Sequence, residues 1–285
     1  METDRQPLLN IITPVYNGEA YLEPLILSLL SQWDDDVEHL IIDDGSTDGT
    51  AALLKKYPHL RVHARENRGQ YPSMNEGLEL AHGRYICFIS ADDLVAPDAI
   101  RRVKEILVAH NYPPAVYGKT RIMDEHERDY PVQPAVTRGG LNTLKYFSHI
   151  THCALYIQKE FLLQHQLIFD TTYTCAGDYD WLLRILQTGI QPLYIPHDLA
   201  KVRVHSQQTS TLQETRALQE QKRAHLNYGV NEVLFSLIKQ VLTWRSALLR
   251  LIGAARVNGW SGFSHLFIYF VKHKTAGFLG FFKRA

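Results

Sequence analysis

The chain has 285 residues, enough for one large domain with or without a smaller appendage. Its hydrophobic content of 45% is ordinary for a globular protein, and its formal net charge of zero gives no reason to expect a nucleic acid partner. Three cysteines without metal-ligand spacing indicate free thiols in a reducing compartment. The sequence shows no signal peptide, and no apolar run reaches the roughly 18 residues of a membrane-spanning helix. These features predict a cytoplasmic protein.

Predicted strands and helices alternate through roughly the first ninety residues. The predicted strands cover residues 8–13, 37–42, 60–64 and 85–89, and the predicted helices between them cover 21–30, 51–57 and 73–82. This alternation predicts a parallel sheet covered by helices. Right-handed crossovers would then bring the carboxyl ends of several strands to one edge of the sheet.

Two of these strands end in adjacent carboxylates, Asp43 with Asp44 and Asp92 with Asp93. Ligands of open α/β sheets bind beyond the carboxyl ends of the strands. Adjacent carboxylates repel each other unless a cation lies between them, and Mg²⁺ and Mn²⁺ favour oxygen ligands and substrate phosphates. Each pair taken singly is also compatible with an Asp-rich turn that caps the next helix. Because both pairs are expected in one cleft, the pattern favours a ligand site.

The second part of the chain is less regular. Its predicted elements are helices at 97–110, 141–147, 159–166 and 213–239, strands at 115–117, 152–157, 192–195 and 201–204, and a helix that begins at Asp178 or Asp180. Residues 118–140 show no clear period, and loops of this length are often functional. The long polar helix predicts that a catalytic domain ends near residue 210.

The C-terminal segment has an unusual charge pattern, because no Asp or Glu follows Glu232. Residues 244–256 and 262–273 combine apolar faces, basic residues and aromatic rings. This composition predicts a helical extension over 211–285, with residues 241–285 lying on an anionic membrane surface. A helical pair packed on the catalytic domain and a dimer contact are the alternatives. Membrane contact would make the protein peripheral on the cytoplasmic face of the inner membrane.

Six short motifs follow one another in a recognisable order. They are Thr13-Pro14-Val15-Tyr16-Asn17, Asp43-Asp44-Gly45-Ser46-Thr47-Asp48, Asn67-Arg68-Gly69 with Asn75, Ser90-Ala91-Asp92-Asp93, Asp178-Tyr179-Asp180-Trp181 with Arg184, and Arg203-Val204-His205. Over about residues 8–210 the chain resembles family-2 glycosyltransferases of the bacterial polysaccharide and glycolipid type. The resemblance implies the α/β GT-A fold, a Rossmann-like and mostly parallel sheet flanked by helices. The nucleotide-sugar half would cover about 1–117 and the acceptor half about 118–210.

The resemblance also implies roles for individual residues. Asp178 matches the catalytic base, and Asp93 matches the ligand of a Mn²⁺ or Mg²⁺ ion on the donor diphosphate. His205 matches a residue that reaches the metal or the diphosphate, and Asp44 matches the acceptor of a uracil N3–H. The remaining residues implied in donor binding are Pro14, Tyr16, Asn17, Asp43, Asn67 and Asp92.

The implied activity is inverting transfer of a sugar from a nucleotide-diphosphate sugar, a UDP-sugar above all, to a hydroxyl of a glycan or lipid-linked acceptor. One departure is Gly177, which stands where the family often has a carboxylate before the base, so Asp180 remains an alternative base. A catalytically degenerate nucleotide-sugar-binding subunit is the alternative function. A sugar-nucleotide pyrophosphorylase is disfavoured, because the loop after the first strand lacks the Gly-rich, basic sequence that grips a triphosphate.

Overall fold

A computed structural model of the chain describes residues 6–129, 140–146 and 150–238. The chain divides into a first compact unit that ends at Gly229 and a second that begins at Val230. In the second unit, residues 232–238 are helical. The predicted membrane segment 241–285 lies outside the described residues. Within the described part of the chain, no helix combines the length and the apolar character needed to cross a bilayer.

The described part of the first unit is built from alternating strands and helices. The strands are β1 (Leu9–Val15), β2 (Val37–Asp43), β3 (Arg61–Ala64), β4 (Tyr85–Phe88), β5 (Leu94–Val95), β6 (Ala115–Met123), β7 (Leu155–Gln158) and β8 (Leu193–Arg203). The helices are α1 (Leu22–Leu30), α2 (Thr50–Leu54), α3 (Gln70–Leu80), α4 (Ala99–Ala109), α5 (Leu141–Leu144), α6 (Lys159–Gln164), α7 (Gly177–Gln187), α8 (Thr209–Leu212) and α9 (Glu214–Asn227). A 3₁₀ turn, His152–Ala154, precedes β7.

The strands form one sheet in the order β3-β2-β1-β4-β7-β6-β8-β5. The pairs among β3, β2, β1 and β4 are all parallel, as the alternation of strands and helices predicts. Beyond β4 the sheet is mixed, because β7 runs antiparallel to both β4 and β6 while β8 runs parallel to β6. The prediction of an α/β fold with a mostly parallel sheet flanked by helices is confirmed.

Apolar side chains cover both faces of the central strands and make them the core. All seven residues of β1 are buried, which is typical of a strand with helices on both faces. Helix α1 buries Leu22, Leu25, Ile26 and Leu29, the spacing of one helical face. Helix α3 belongs to the cluster on the opposite face, where Met74 and Leu78 are buried. The sheet is therefore held rigidly between two layers, and its strand ends have fixed positions.

Three predicted elements differ from the structure. The segments predicted as two strands, 192–195 and 201–204, belong to the single strand β8. The reason is that β6 pairs with β8 from Leu193 to Arg203. Residues 118–123, predicted as irregular, belong to β6, and residues 130–139 lie outside the described residues. The predicted helix 213–239 is interrupted at Gly229, whose φ of 62° is left-handed and ends a right-handed helix. The first compact unit thus includes α8 and α9 and extends past the predicted boundary at residue 210.

Candidate active site

The carboxyl ends of three neighbouring parallel strands, β2, β1 and β4, lie side by side at one edge of the sheet. Asp44 follows β2, Tyr16 follows β1, and the loop 90–93 follows β4. The backbone N–H of Asp44 donates a hydrogen bond of 2.8 Å to the carbonyl oxygen of Val15, which joins the first two strand ends. The predicted acidic edge is therefore formed by strands that are direct neighbours.

Asn17 ties the loop after β1 to the loop after β2. Its side-chain Oδ1 accepts a 2.8 Å hydrogen bond from the backbone N–H of Thr47, and its own N–H donates to Ser46 Oγ at 2.9 Å. A φ of 53° places Asn17 in the left-handed region, which Asn tolerates better than most residues. Asn17, which is implied in donor binding, thus uses its amide oxygen to shape the site.

Asp44 is buried and accepts hydrogen bonds at both carboxylate oxygens. Oδ1 accepts from the guanidinium of Arg65 and, at 2.8 Å, from the backbone N–H of Arg68. Oδ2 accepts from the backbone N–H of Gly69 at 2.8 Å. Asp44 therefore fixes the loop 65–69 beside β2. Since a carboxylate oxygen has about two lone pairs, Oδ2 retains the capacity for one further donor.

The other residues implied in nucleotide binding differ in exposure. Pro14 is buried within β1, and Asp43 is buried and accepts a 2.9 Å hydrogen bond from the backbone N–H of Ser46. Asn67 is exposed in the loop before α3. Tyr16 is 54% exposed directly after β1. A half-exposed aromatic ring at this edge is suited to stacking on a planar ligand.

Arg203, the last residue of β8, fixes the acidic loop after β4. Its backbone N–H donates to Asp93 Oδ1 at 2.9 Å, and its Nε donates to the carbonyl oxygen of Asp92 at 2.8 Å. Its guanidinium lies over the ring of Tyr21, 5.0 Å from the ring centroid. Strand β5 follows the acidic loop directly and pairs antiparallel with β8. The loop and the end of β8 are therefore held together by the sheet itself.

His205 lies just beyond β8 and contacts Asp92. Its Nε2 is 3.0 Å from Asp92 Oδ2, and its ring centroid is 4.6 Å from that of Tyr21. Its Nδ1 is buried and has no hydrogen-bond partner. Of the two residues implied in metal binding, His205 thus contacts Asp92, and Asp93 is bound by the backbone N–H of Arg203.

Asp178, in the first turn of α7, has a partner that sequence reasoning missed. Nδ1 of His152 is 3.1 Å from Asp178 Oδ2. His152 opens the 3₁₀ turn before β7, and the negative charges of Asp92 and Asp93 also act on its imidazole. In the sequence His152 is only the first residue of a predicted strand, and no spacing connects it to residue 178. The fold therefore brings the predicted base and the acidic loop to one histidine.

Burial and opposite charge together set the pKa values in this cluster. Burial and the charge of Asp92 raise the pKa of Asp93. Burial alone would lower the pKa of His152, but the hydrogen bond and charge of Asp178, with the charges of Asp93 and Asp92, raise it. Burial alone would raise the pKa of Asp178, but the hydrogen bond and charge of His152 lower it. Asp178 is therefore ionised at neutral pH. At Asp93 the positive charges of His152 and Arg203 only partly offset burial and the charge of Asp92.

Asp180, the alternative base, has partners on both of its oxygens. Oδ2 accepts from Arg184 Nε at 2.9 Å, and Oδ1 accepts from the hydroxyl of Tyr228 at 3.1 Å. Its side chain is 5% exposed, whereas that of Asp178 is 33% exposed. Because a general base must reach the proton that it removes, this environment favours Asp178.

The surroundings of Gly177 explain why this position carries no side chain. A Cβ atom here would stand 2.7 Å from Cε2 of Tyr71, which is buried in α3. The Tyr71 hydroxyl accepts hydrogen bonds from the backbone N–H groups of Gly177 at 2.8 Å and Asp178 at 3.4 Å. Tyr71 therefore occupies the space that a carboxylate at position 177 would need, and it holds the start of α7 in its place.

Glu220 of α9 holds the segment that precedes α7. Its carboxylate accepts hydrogen bonds from the backbone N–H groups of Thr174 at 3.0 Å, Cys175 at 2.7 Å and Ala176 at 3.0 Å. Arg216 Nε donates to the same carboxylate at 3.0 Å. Helix α9, which was predicted to lie beyond the catalytic domain, thus supports the backbone before Asp178.

The residues present fit a hard divalent cation. Asp92 and Asp93 offer carboxylate oxygens, and the pKa of the buried Asp93 is raised despite the charges of His152 and Arg203, so a cation would stabilise its ionised form. Within residues 6–129, 140–146 and 150–238, no three His, Cys, Asp or Glu side chains are arranged as a complete metal site. Mg²⁺ is usually bound by one or two carboxylates together with water and substrate phosphates. The donor set therefore fits an ion shared with a diphosphate.

Comparison with known proteins agrees with this geometry. An uncharacterized glycosyltransferase of Haemophilus influenzae is 26% identical over 245 residues, which are 80% of this chain and 76% of that protein. An uncharacterized glycosyltransferase of Rickettsia bellii is 31% identical over 216 residues, 72% of this chain. This match spans only 31% of the length of the Rickettsia protein.

Two solved structures share the fold. Staphylococcus aureus TarS 1-349 in complex with UDP-GlcNAc has a TM-score of 0.62 at 17% identity, over 81% of this chain and 70% of that chain. The mannosyltransferase PcManGT of Pyrobaculum calidifontis, in complex with GDP-Man and Mn²⁺, has a TM-score of 0.58 at 20% identity. That match covers 95% of this chain and 82% of the mannosyltransferase. These likenesses confirm the GT-A architecture.

The model of the family described as glycosyl transferase family 2 matches residues 10–177, from β1 to the first residue of α7. The match covers more than half of the 285 residues. It contains every acidic strand end described above and stops beside Asp178. The protein therefore belongs to glycosyltransferase family 2.

Proposed function

We propose that the protein is an inverting, metal-dependent hexosyltransferase that moves a sugar from a UDP-sugar to a hydroxyl of a glycan or lipid-linked acceptor. The observation that carries this proposal is the cluster in which Asp178 shares His152 with the carboxylates of Asp92 and Asp93. A carboxylate that can accept a proton then lies close to a pair that can bind a cation. These are the two kinds of group that transfer from a nucleoside diphosphate requires.

Donor binding is assigned to the edge formed by β2, β1 and β4. Tyr16 would stack on the base, and Asp44 Oδ2 would accept the uracil N3–H with its remaining lone pair. Pro14, Asp43 and Asn67 would line the same subsite, and a thymidine or guanosine donor also presents a ring N–H to a carboxylate. Neighbouring structures with UDP-GlcNAc and with GDP-Man support a nucleotide-sugar donor without choosing its base.

The chemical step is a single displacement. Asp178 takes the proton of the acceptor hydroxyl while that oxygen attacks the anomeric carbon opposite the leaving diphosphate, so the configuration inverts. Asp93, Asp92 and His205 would hold a Mn²⁺ or Mg²⁺ ion, which when bound neutralises the charge on the diphosphate, an effect of several kcal/mol. The exposed side chain of Asp178 and the carboxylates of Asp92 and Asp93, all of which act on His152, support this step.

A panel of UDP-, GDP- and dTDP-sugars tests the proposal by thermal shift and by nucleotide release, with Mn²⁺ or with EDTA. We expect stabilisation and turnover with a UDP-sugar that require the metal. Asp178→Asn should lower kcat by about 10²- to 10⁴-fold, the usual contribution of a positioned base, with little change in nucleotide affinity. Equal loss of nucleotide affinity would show that Asp178 binds the donor. Metal-dependent binding without any turnover would instead favour a degenerate binding subunit.

We further propose that residues 241–285 bring the enzyme to the cytoplasmic face of the inner membrane, beside a lipid-linked acceptor. These residues lack acidic side chains, and the helical residues before them expose Val233, Leu234 and Leu237. Flotation with liposomes that contain anionic lipid should recover the full chain and leave a chain shortened to residue 240 in the soluble fraction. Equal flotation of both chains would remove this role from the segment.

A further inference from the structure

The imidazole of His152 is held in one orientation by its surroundings. The backbone on either side is fixed, because His152 begins the 3₁₀ turn that leads into the buried strand β7. The side chain is 14% exposed, and Nδ1 has Asp178 Oδ2 at 3.1 Å as its partner. Nε2 is buried and has no hydrogen-bond partner. The contact with Asp178 is thus the interaction that the ring makes through Nδ1.

This contact divides the two oxygens of Asp178 between two tasks. An ionised carboxylate can only accept hydrogen bonds. Nδ1 therefore carries a proton and donates a hydrogen bond to Oδ2. The backbone N–H groups of Asp178 and Tyr179 also donate hydrogen bonds to this carboxylate, but its two oxygens have about four lone pairs, so one remains for the acceptor hydroxyl. That position is assigned to Oδ1, because Oδ2 holds His152, and the side chain remains 33% exposed. A carboxylate held by these hydrogen bonds loses most of its rotational freedom before the substrate arrives, which lowers the entropic cost of reaching the reactive geometry.

We propose that His152 is a positioning residue that presents Oδ1 of Asp178 to the acceptor hydroxyl; this inference rests on the proposed function. In the transfer step the hydroxyl proton moves to Oδ1, and the acceptor oxygen forms its bond to the anomeric carbon. The bond from that carbon to the diphosphate breaks, and its electron pair leaves with the diphosphate. His152 keeps its Nδ1 proton throughout and acts only through Asp178.

Two substitutions separate the hydrogen bond from the bulk of the ring. His152→Asn keeps an N–H donor near the position of Nδ1, whereas His152→Leu keeps an apolar side chain of similar reach without a donor. With the UDP-sugar that the full-length wild-type protein turns over fastest, and with Mg²⁺, we expect His152→Leu to lower kcat by about 10- to 100-fold, the scale of a misplaced catalytic group. KM for the donor should change by less than about 2-fold, because the substitution leaves the contacts that bind the donor in the ground state unchanged. His152→Asn should recover most of the lost kcat.

A double substitution tests whether His152 acts through Asp178. In the Asp178→Asn background, His152→Leu should lower kcat by no more than about 2-fold, because groups that act as a unit are not additive. In the His152→Leu variant with Asp178 intact, the acidic limb of the profile of kcat/KM against pH should move to higher pH. The reason is that His152 no longer lowers the pKa of Asp178. A merely structural role of His152 would lower thermal stability without this shift.

Several outcomes would overturn the inference. One is an active wild-type enzyme whose His152→Leu variant keeps its kcat, and another is a variant that loses Mg²⁺-dependent binding of UDP, because His152 would then serve the metal. A third arm needs no turnover and separates failure of the proposed function from failure of this inference. In ¹⁵N-histidine NMR of the full chain, a protonated Nδ1 signal should be absent from His152→Asn and shifted in Asp178→Asn. An unprotonated Nδ1 at neutral pH would overturn the inference even if no donor is found.

Discussion

At the scale of single residues, burial distinguishes the two carboxylates in the first turn of α7. Both oxygens of Asp180 accept hydrogen bonds, from Arg184 and Tyr228, and its side chain is 5% exposed. The side chain of Asp178, beside His152, is 33% exposed. Local packing also explains Gly177, which stands where the family often has a carboxylate. The Tyr71 ring fills the space of the missing side chain, so the small residue and the large one form a complementary pair.

Gly177→Ala should therefore destabilise the protein. The added Cβ would stand 2.7 Å from Cε2 of Tyr71 and would displace a ring that is stacked on Phe169. Overpacking of this kind costs about 1–3 kcal/mol, to be measured as the free energy of unfolding in urea. Gly140→Ala is the matched control, since the nearest atom there is 3.9 Å away. Equal stability of the two variants would contradict the complementary packing.

At the scale of elements, α9 belongs to the first compact unit and supports the segment before α7. Its Glu220 satisfies three successive backbone N–H groups that would otherwise be left without partners near the start of a helix. Burial would raise the pKa of Glu220, but these backbone hydrogen bonds and Arg216 lower it. Among the polar side chains of α9, Glu220 thus has a structural role, because it binds the backbone before α7.

Glu220→Gln should disturb this support, because an amide keeps one acceptor oxygen and turns two N–H donors toward the backbone. We expect a loss of about 1–3 kcal/mol in the free energy of unfolding, the cost of unsatisfied buried groups. Turnover should also fall, since the segment leads directly into Asp178. Glu214→Gln, at an exposed position of the same helix, is the control and should be nearly neutral. If Glu220→Gln behaves like this control, α9 does not support the site.

At the scale of the whole molecule, a buried histidine in the central sheet makes stability depend on pH. His39 lies in β2 with no exposed surface, and its Nε2 is 3.1 Å from Thr13 Oγ1 of β1. Burial, with a smaller contribution from His59, lowers the pKa of His39 to about 3. An unfolded histidine titrates near pH 6.5, so between these values the unfolded chain binds the additional proton.

The contribution of His39 to the free energy of unfolding should therefore be fully retained above pH 6.5 and fall as the pH decreases toward 3. One proton contributes a slope of about 1.4 kcal/mol per pH unit in that interval. His39→Gln should lose this component in urea unfolding measured at several pH values, while His126→Gln, at an exposed position, should keep it. Identical pH dependence of the wild type and His39→Gln would show that His39 is not the source.

Local patterns were sufficient for the first half of the fold. The hydrophobic periods of β1, α1, β2, α3 and β4 depend on residues close together in the chain, and these elements formed with only small shifts at their ends. The rule that parallel strands end at one edge placed Asp44 beside β1 and the Asp92–Asp93 pair beside the same edge. The sequence by itself thus determined the α/β class, the family and the acidic edge.

The tertiary structure alone decided the partners across that edge. Antiparallel pairing of β7, the two-residue strand β5 and the continuity of β8 depend on hydrogen bonds between distant segments, which leave no period in the sequence. An isolated histidine carries no pattern either, so the approach of His152 to Asp178 follows only from the placement of β7 next to β4. Hydrophobic spacing records which side of an element is buried, and it does not record which distant side chain meets it there.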